Sequence, residues 1–540
     1  MASDQKADGL GRRTARTLSA VLIGQVISIC VTGITIILLA RLLQPYLYGQ
    51  YTFAFGYASF IDAVGGLGLG AYLSRYFAIW AFKGNAEQMM RVMSSALLIF
   101  LISAILITAL AIMLSGYLAN IIYAGLGIPE ITLVTSSLMI FFVMAQSVEM
   151  HALIGLSKGA YSSLTSVFGN IVQLIASVGL FIYGFGVEGV LAGMLIGYIT
   201  SASIGALFVY HSLSKHGRMH IVKPTIQELK ETAKFAFPIG VNNMLNDGMQ
   251  NFSILFLGLF VPEIFLGNYG AALKGLTAVI LLHNSINNVL LPTFSTAGLT
   301  RAKESLHKVY NKVLSYSLVL IMPMLVYVAV FAMPAIYLFL SSSYSYAPTY
   351  LSLIVVGAMF STVSLFISSL IVSRGLTLKV LKYNAVVVIV ELCSIAILVP
   401  SLGTYGHNTA VIGAIISIFL IGSITAVILF VRGAKRLFGI KFDGGKVLRI
   451  FASNALLAVA LGTTLFGLQY ATAGSISNPV LAIELLFGII VALAVYPPIV
   501  SFTRTLDKDD VASIKDATSQ LPIISQSVKL YIGYAELFMG

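Results

Sequence analysis

Thirty of the 32 lysines and arginines in this 540-residue chain fall in alternate gaps between long apolar runs. The two exceptions are Arg41, in a gap of the opposite phase, and Lys274, inside a run. Fourteen runs, the first near 18–39 and the last near 480–503, each supply the roughly 20 residues that a helix needs to cross a hydrocarbon core. Removing any one of them would throw every later gap out of phase, so the bias requires an even number of spans. The positive-inside rule then puts both termini in the cytoplasm. Composition agrees: 58% of residues are hydrophobic and 10% charged, against roughly 25% charged in soluble chains. The expectation is an all-α, multi-pass protein of the plasma membrane, with membrane lipids around it. The net charge of +12 belongs to the cytoplasmic loops and does not call for nucleic acid. Arg12, Arg13 and Arg16 precede the first run, but that run is too long for a secretory signal and reads as the first span.

The gaps on the outer side are short and rich in glycine and proline, with no room for an external catalytic domain. Cys30 and Cys393 both lie inside apolar runs, and His151, His283 and His407 stand in unrelated places. No HExxH, DxD pair or clustered metal ligands appear, so no catalytic residue, metal or cofactor is expected.

Polar chemistry concentrates in the pair of runs from Phe235 to Pro292. Asn243, Asp247 and Asn251 recur every four residues with Asn242, Asn246 and Gln250 beside them, one broad polar face on a helix. The next run carries Lys274, Thr277, Asn284 and Asn288. An ionisable group at the bilayer centre costs at least about 2.5 kcal/mol, so Asp247 and Lys274 should face protein or water. Two readings are open, a polar substrate cavity and amide glue between helices. Gln25, Ser28, Thr32 and Thr35 stripe the first helix, and Tyr57 and Asp62 mark the second, where the glycines from Gly65 to Gly70 predict a bend or a local unwinding. At 1.5 Å per residue, Asp62 and Asp247 lie roughly 16 to 20 Å along their helices, near mid-bilayer, and Lys274 nearer the outer side. Ser163, Ser166, Asn170, Gln173 and Ser177 on the fifth helix read as a packing face. Glu391, roughly 12 Å deep, is either an ion-coupling or proton site, together with Asp62 and Asp247, or a neutral hydrogen-bonded acid.

The chain echoes itself at an offset of about 217 residues. ARLLQPYLYGQY at 40–51 returns as GLFVPEIFLGNY at 258–269, Lys158-Gly159 as Arg374-Gly375, and Gly193 as Gly413. Six helices separate equivalent elements, so this is a parallel repeat. The expected organisation is an N-terminal lobe over 1–210, a cytoplasmic linker over 211–234, a C-terminal lobe over 235–431, two accessory helices over 432–503 and a cytoplasmic tail over 504–540.

The helix-one exit ARLLQPYLYGQY, DAVGGLGLGAYLSRYFA at 62–78, GLSKGAYSSL at 155–164 and the fourteen-span plan resemble the polysaccharide-transport branch of the multidrug/oligosaccharidyl-lipid/polysaccharide exporter superfamily, the Wzx-type flippases. The resemblance implies two parallel six-helix lobes in a V plus two C-terminal helices, with helices one, two, seven and eight lining a central cavity. It implies a flippase that moves lipid-linked oligosaccharide, on a polyprenyl or dolichyl phosphate or pyrophosphate carrier, from the cytoplasmic to the outer leaflet by alternating access. The cavity would hold Gln25, Asp62, Asn243, Asp247, Asn251, Lys274, Asn284 and Asn288, with Arg41 at the outer rim. Many relatives line it with several arginines; this chain offers Lys274 and Arg41. The competing expectation is a cation- or proton-coupled exporter of organic cations.

Overall fold

The computed structural model describes residues 2–214, 222–277, 303–439 and 442–505. Asn284, Asn288, His283, Pro292 and almost all of the expected tail lie outside the described residues. Compactness divides the chain after Gly267.

In the first unit, α1 (Ala2–Gly65) carries an apolar stretch of 42 residues from Gly24. As one straight helix it would be about 63 Å long, twice a hydrocarbon core of about 30 Å. It breaks at Gln44, whose backbone turns to φ 54 and ψ 170 just before Pro45. Proline supplies no N–H and clashes with the preceding turn, so the break falls there and the stretch holds two spans. The second of them is interrupted where the glycine cluster predicts: α1 ends at Gly65, Leu67 and Gly68 take φ 36 and 66, and α2 (Leu69–Phe82) resumes. The backbone freed at the turn is partly satisfied locally, since Gly66 N–H donates to the Asp62 carbonyl at 2.7 Å.

Then follow α3 (Ala86–Tyr117), α4 (Glu130–Gly155), α5 (Gly159–Leu180) and α6 (Gly186–Ser214). The last two form a hairpin turned at Gly184 and Gly186. Small residues let them approach closely. A Cβ at Gly193 would collide with the Ser177 backbone, and Ser177 Oγ donates to the Val190 carbonyl at 3.0 Å. Gln146 on α4 donates to Ser201 on α6 at 2.6 Å.

Helix α7 (Ile226–Leu257) also groups with the first unit. Thr225 and Glu228 close its N-terminus reciprocally: the threonine hydroxyl accepts from Glu228 N–H at 3.3 Å, and the glutamate accepts from Thr225 N–H at 2.7 Å. Glu228 also accepts from Arg91 of α3 at 3.1 Å. The Thr225 backbone bond first, and then Arg91, hold the Glu228 carboxyl below its ordinary value. Stability from a lowered carboxyl is present above the unfolded-state value, about 4.3, and is lost as pH falls through the folded-state value. Thr225→Ala is expected to cost about 1 kcal/mol at pH 7. The gap in denaturant midpoint between wild type and Glu228→Gln should close below about pH 4.

Helix α8, residues 263–277, straddles the division. In the second unit, α9 (Lys303–Val330) and α10 (Ala332–Phe339) meet at a 69° bend. Helices α11 (Ala347–Ser373) and α12 (Thr377–Gly403) follow, then α13 (His407–Ile415), which runs through a π-helical turn at Ile416–Gly422 into α14 (Ser423–Phe438). Asn268 Oδ1 accepts from Tyr346 N–H and Ala347 N–H, both at 3.0 Å, tying α8 to the start of α11. The accessory pair α15 (Gly444–Ala471) and α16 (Asn478–Phe502) packs on α9 through Val326, Phe331, Leu457, Leu461, Tyr496 and Val500. Two tyrosines stitch the seam, Tyr496 donating to the Val319 carbonyl at 3.0 Å and Tyr327 to that of Leu485 at 2.8 Å.

Among the described residues the chain has no strand, and nine helical stretches are long and apolar enough to cross a membrane, besides the bent α9–α10 pair. It is an all-α, multi-pass membrane protein. Two of the nine stretches, Gly24–Gly65 and Gly159–Ser214, each hold two spans. Helix α7 falls below the hydropathy threshold because of the polar face read from its sequence.

Candidate functional site

The site in the first unit is set by a glycine turn resting on a glycine of α7. Gly68 needs its left-handed φ of 66 to end the break in helix two, and L side chains pay for that conformation in strain. A Cβ there would also stand 2.5 Å from the Ala236 carbonyl oxygen and 2.7 Å from the Gly240 nitrogen. Gly240 in turn faces Leu67, whose Cα would be 2.7 Å from an added Cβ. Pro238 lies between the two α7 contacts and removes one helix hydrogen bond at this point. Gly70 packs on the His151 ring of α4, and His151 Nδ1 lies 2.8 Å from the Ser147 carbonyl oxygen.

This packing brings Asp62, from the end of α1, and Asp247, from α7, to one cavity of about 200 Å³. Asn243 and Ser147 add an amide and a hydroxyl, and Phe100, Met144 and Leu69 supply the apolar part of the wall. Among the described residues neither carboxylate has an ion-pair partner. Carboxylates, amides and hydroxyls on an open cavity offer acceptors and donors in the pattern that sugar hydroxyls match, and the two negative charges repel an acidic group.

The other expected site residues distribute as follows. Asn251 turns its amide to its own helix, donating to the Asp247 carbonyl at 3.0 Å. Gln25 is exposed on α1 and does not line the cavity. Its stripe partners Ser28 and Thr32 accept from Asn170 of α5 at 2.8 and 3.1 Å, so this part of the stripe joins helices. Arg41 is exposed just before the Gln44 break. Lys274 is half-buried on α8, beyond the division after Gly267. Glu391 on α12 is 8% exposed and lies against Gly422, at the end of the π-helical turn. Asn284 and Asn288 lie outside the described residues. Gly240 and Ser147 were not singled out from the sequence. A glycine inside an apolar run and a serine on an otherwise apolar helix carry no signal until their neighbours are known.

The echoed segments meet each other. A Cβ at Gly49 would collide with the Glu263 carbonyl, and one at Gly267 with the Pro45 carbonyl. Backbone therefore lies directly on backbone, twice and reciprocally, beside Tyr48, which is 1% exposed, and Glu263, which is 7% exposed.

A family model described as polysaccharide biosynthesis protein matches residues 38–349, more than half of the chain. The chain belongs to the polysaccharide biosynthesis protein family. The match runs from just before Arg41 to the start of α11 and takes in both echoed segments and the cavity. A comparison with curated protein sequences finds no match. Among solved structures, this family member is similar to the lipid II flippase MurJ in an inward closed conformation. The TM-score is 0.68 at 18% identity, covering 88% of this chain and 97% of that one. It is also similar to a multidrug resistance MATE family transporter of the MOP superfamily. The inward-facing form gives a TM-score of 0.59 at 17% identity, covering 80% and 99% of the two chains. The outward-facing form gives 0.53 at 16%, covering 79% and 97%. At these identities the likeness is one of fold, shared with these structures.

Proposed function

We propose that this protein is a flippase that carries lipid-linked oligosaccharide from the cytoplasmic to the outer leaflet of the plasma membrane, with both termini cytoplasmic. The observation that carries the reading is the cavity of Asp62, Asn243, Asp247 and Ser147, a set of hydrogen-bonding groups sized for a sugar in an apolar protein. Membership of the polysaccharide biosynthesis family and the fold shared with the lipid II flippase MurJ support it. The glycan occupies the polar chamber while the polyprenyl or dolichyl tail of the carrier stays in hydrocarbon. Lys274, with Arg41 at the rim, meets the carrier's phosphate or pyrophosphate. The site opens first to one side of the membrane and then to the other, and no bond is made or broken. A coupling cation or proton binds at Asp62, Asp247 or Glu391.

The competing reading, export of organic cations, is favoured by one observation, the two cavity carboxylates without an ion-pair partner among the described residues. Purified protein in liposomes separates the two. Labelled lipid-linked oligosaccharide is expected to become protected from an external glycosidase or lectin, chemically unaltered, whereas movement of a cationic dye with no glycan protection would support the exporter. Lys274→Gln and the Asp62→Asn, Asp247→Asn pair should each reduce flipping about tenfold or more, the loss of one charge-assisted contact. Normal flipping by folded Lys274→Gln would remove the lysine from the mechanism.

A further inference from the structure

Helices α3 and α6 both pack on α4, and between them lies a second, larger cavity of about 520 Å³. Its walls are apolar: Met93, Leu97 and Leu101 from α3, and Val209, Tyr210 and Leu213 from α6. The stretch Val222–Pro224, just before α7, adds to the lining, and Lys223 within it is exposed. Phe100 and Val148 line both cavities and form the partition between this groove and the Asp62 chamber.

One charged group faces the interior, Glu149 on the α4 floor. Its Oε2 is sealed from solvent and has no hydrogen-bond partner among the described residues. The carboxyl fits only because α6 carries glycine opposite, where a Cβ at Gly205 would collide with that oxygen. Glu149 is six residues before the end of α4, about 9 Å along the helix, and the groove walls around it are apolar. A carboxyl in such surroundings is ionised only beside an opposite charge.

We infer that the groove is a binding site for an organic monocation with an apolar body, separate from the chamber that takes the glycan. The ammonium or guanidinium group meets Glu149 Oε2, the body lies along the Leu, Met and Val walls, and the Phe100 and Tyr210 rings flank the charge. The volume falls in the range of small-molecule sites. Charge complementarity selects this occupant: a neutral chain leaves the buried oxygen unsatisfied, and an anion adds like charge beside it. Lys223 is exposed, and its long side chain can turn its charge to water.

The test is equilibrium binding of dodecylammonium and of uncharged dodecanol to the full chain in maltoside micelles, read by native mass spectrometry. One saturable dodecylammonium per chain is expected, weakened about tenfold or more by the isosteric Glu149→Gln and unchanged by Asp62→Asn. Ala206→Phe, at an exposed position on the groove wall, fills the space without touching the carboxyl and should block binding as well. Equal retention of dodecanol, full affinity in both groove variants, or loss of binding in Asp62→Asn instead would overturn the assignment. None of these readouts depends on glycan translocation.

Discussion

Valine at Gly49 or at Gly267 is expected to destabilise the purified protein by about 3 kcal/mol, the upper end of the range for overpacking. Each added side chain meets a backbone carbonyl, that of Glu263 or of Pro45, and not the yielding end of a side chain. Alanine should show a smaller loss in the same direction. The double variant separates this reading from two independent clashes. Once one Cβ has pushed the segments apart, the second finds room, so the pair should cost little more than the worse single, within about 0.5 kcal/mol. Full additivity in denaturant unfolding would show two unrelated contacts, and two neutral singles would show that the segments do not touch. Flipping is expected to fall with stability.

Gly68→Ala should be nearly as damaging, for a compound reason. The left-handed backbone costs an L residue roughly 1 to 2 kcal/mol, and the new Cβ also strikes Ala236, Ile239 and Gly240 of α7. Gly84 isolates the first part. It has the same φ of 66 with nothing within 4 Å of an added Cβ, so Gly84→Ala should lose only about 1 kcal/mol. The excess at Gly68 measures the contact with α7. Because that contact brings Asp62 and Asp247 to one cavity, flipping should drop about tenfold or more in Gly68→Ala, the loss of one charge-assisted contact, and stay near wild type in Gly84→Ala. Equal behaviour of the two variants would mean that the turn does not position the carboxylates.

These two sites also show what a linear reading reaches. The bend in helix two was legible because a run of glycines inside an apolar span has few other uses, and α1 does end at Gly65. Depth arithmetic placed Asp62 and Asp247 at one level, and they line one cavity. The packing face on helix five was legible from its spacing, and Asn170 and Ser177 do bond neighbouring helices. Periodicity gives the side of a helix but not what faces it. Hence the stripe of helix one could not reveal that Ser28 and Thr32 turn to Asn170, nor the face of α7 that Asn251 bonds its own backbone. Gly240, Gly205 and the unpartnered oxygen of Glu149 were invisible for the same reason: each matters only through a neighbour that a distant part of the chain supplies.

The reciprocal seat of Gly49 and Gly267 couples the two like segments. Where each of two like segments presents its glycine to nearly the same point on the other, the contact is isologous, the kind that two identical polypeptides make across a twofold axis. A bulky residue in either copy meets the other's main chain, so neither position can gain size without displacing the other segment.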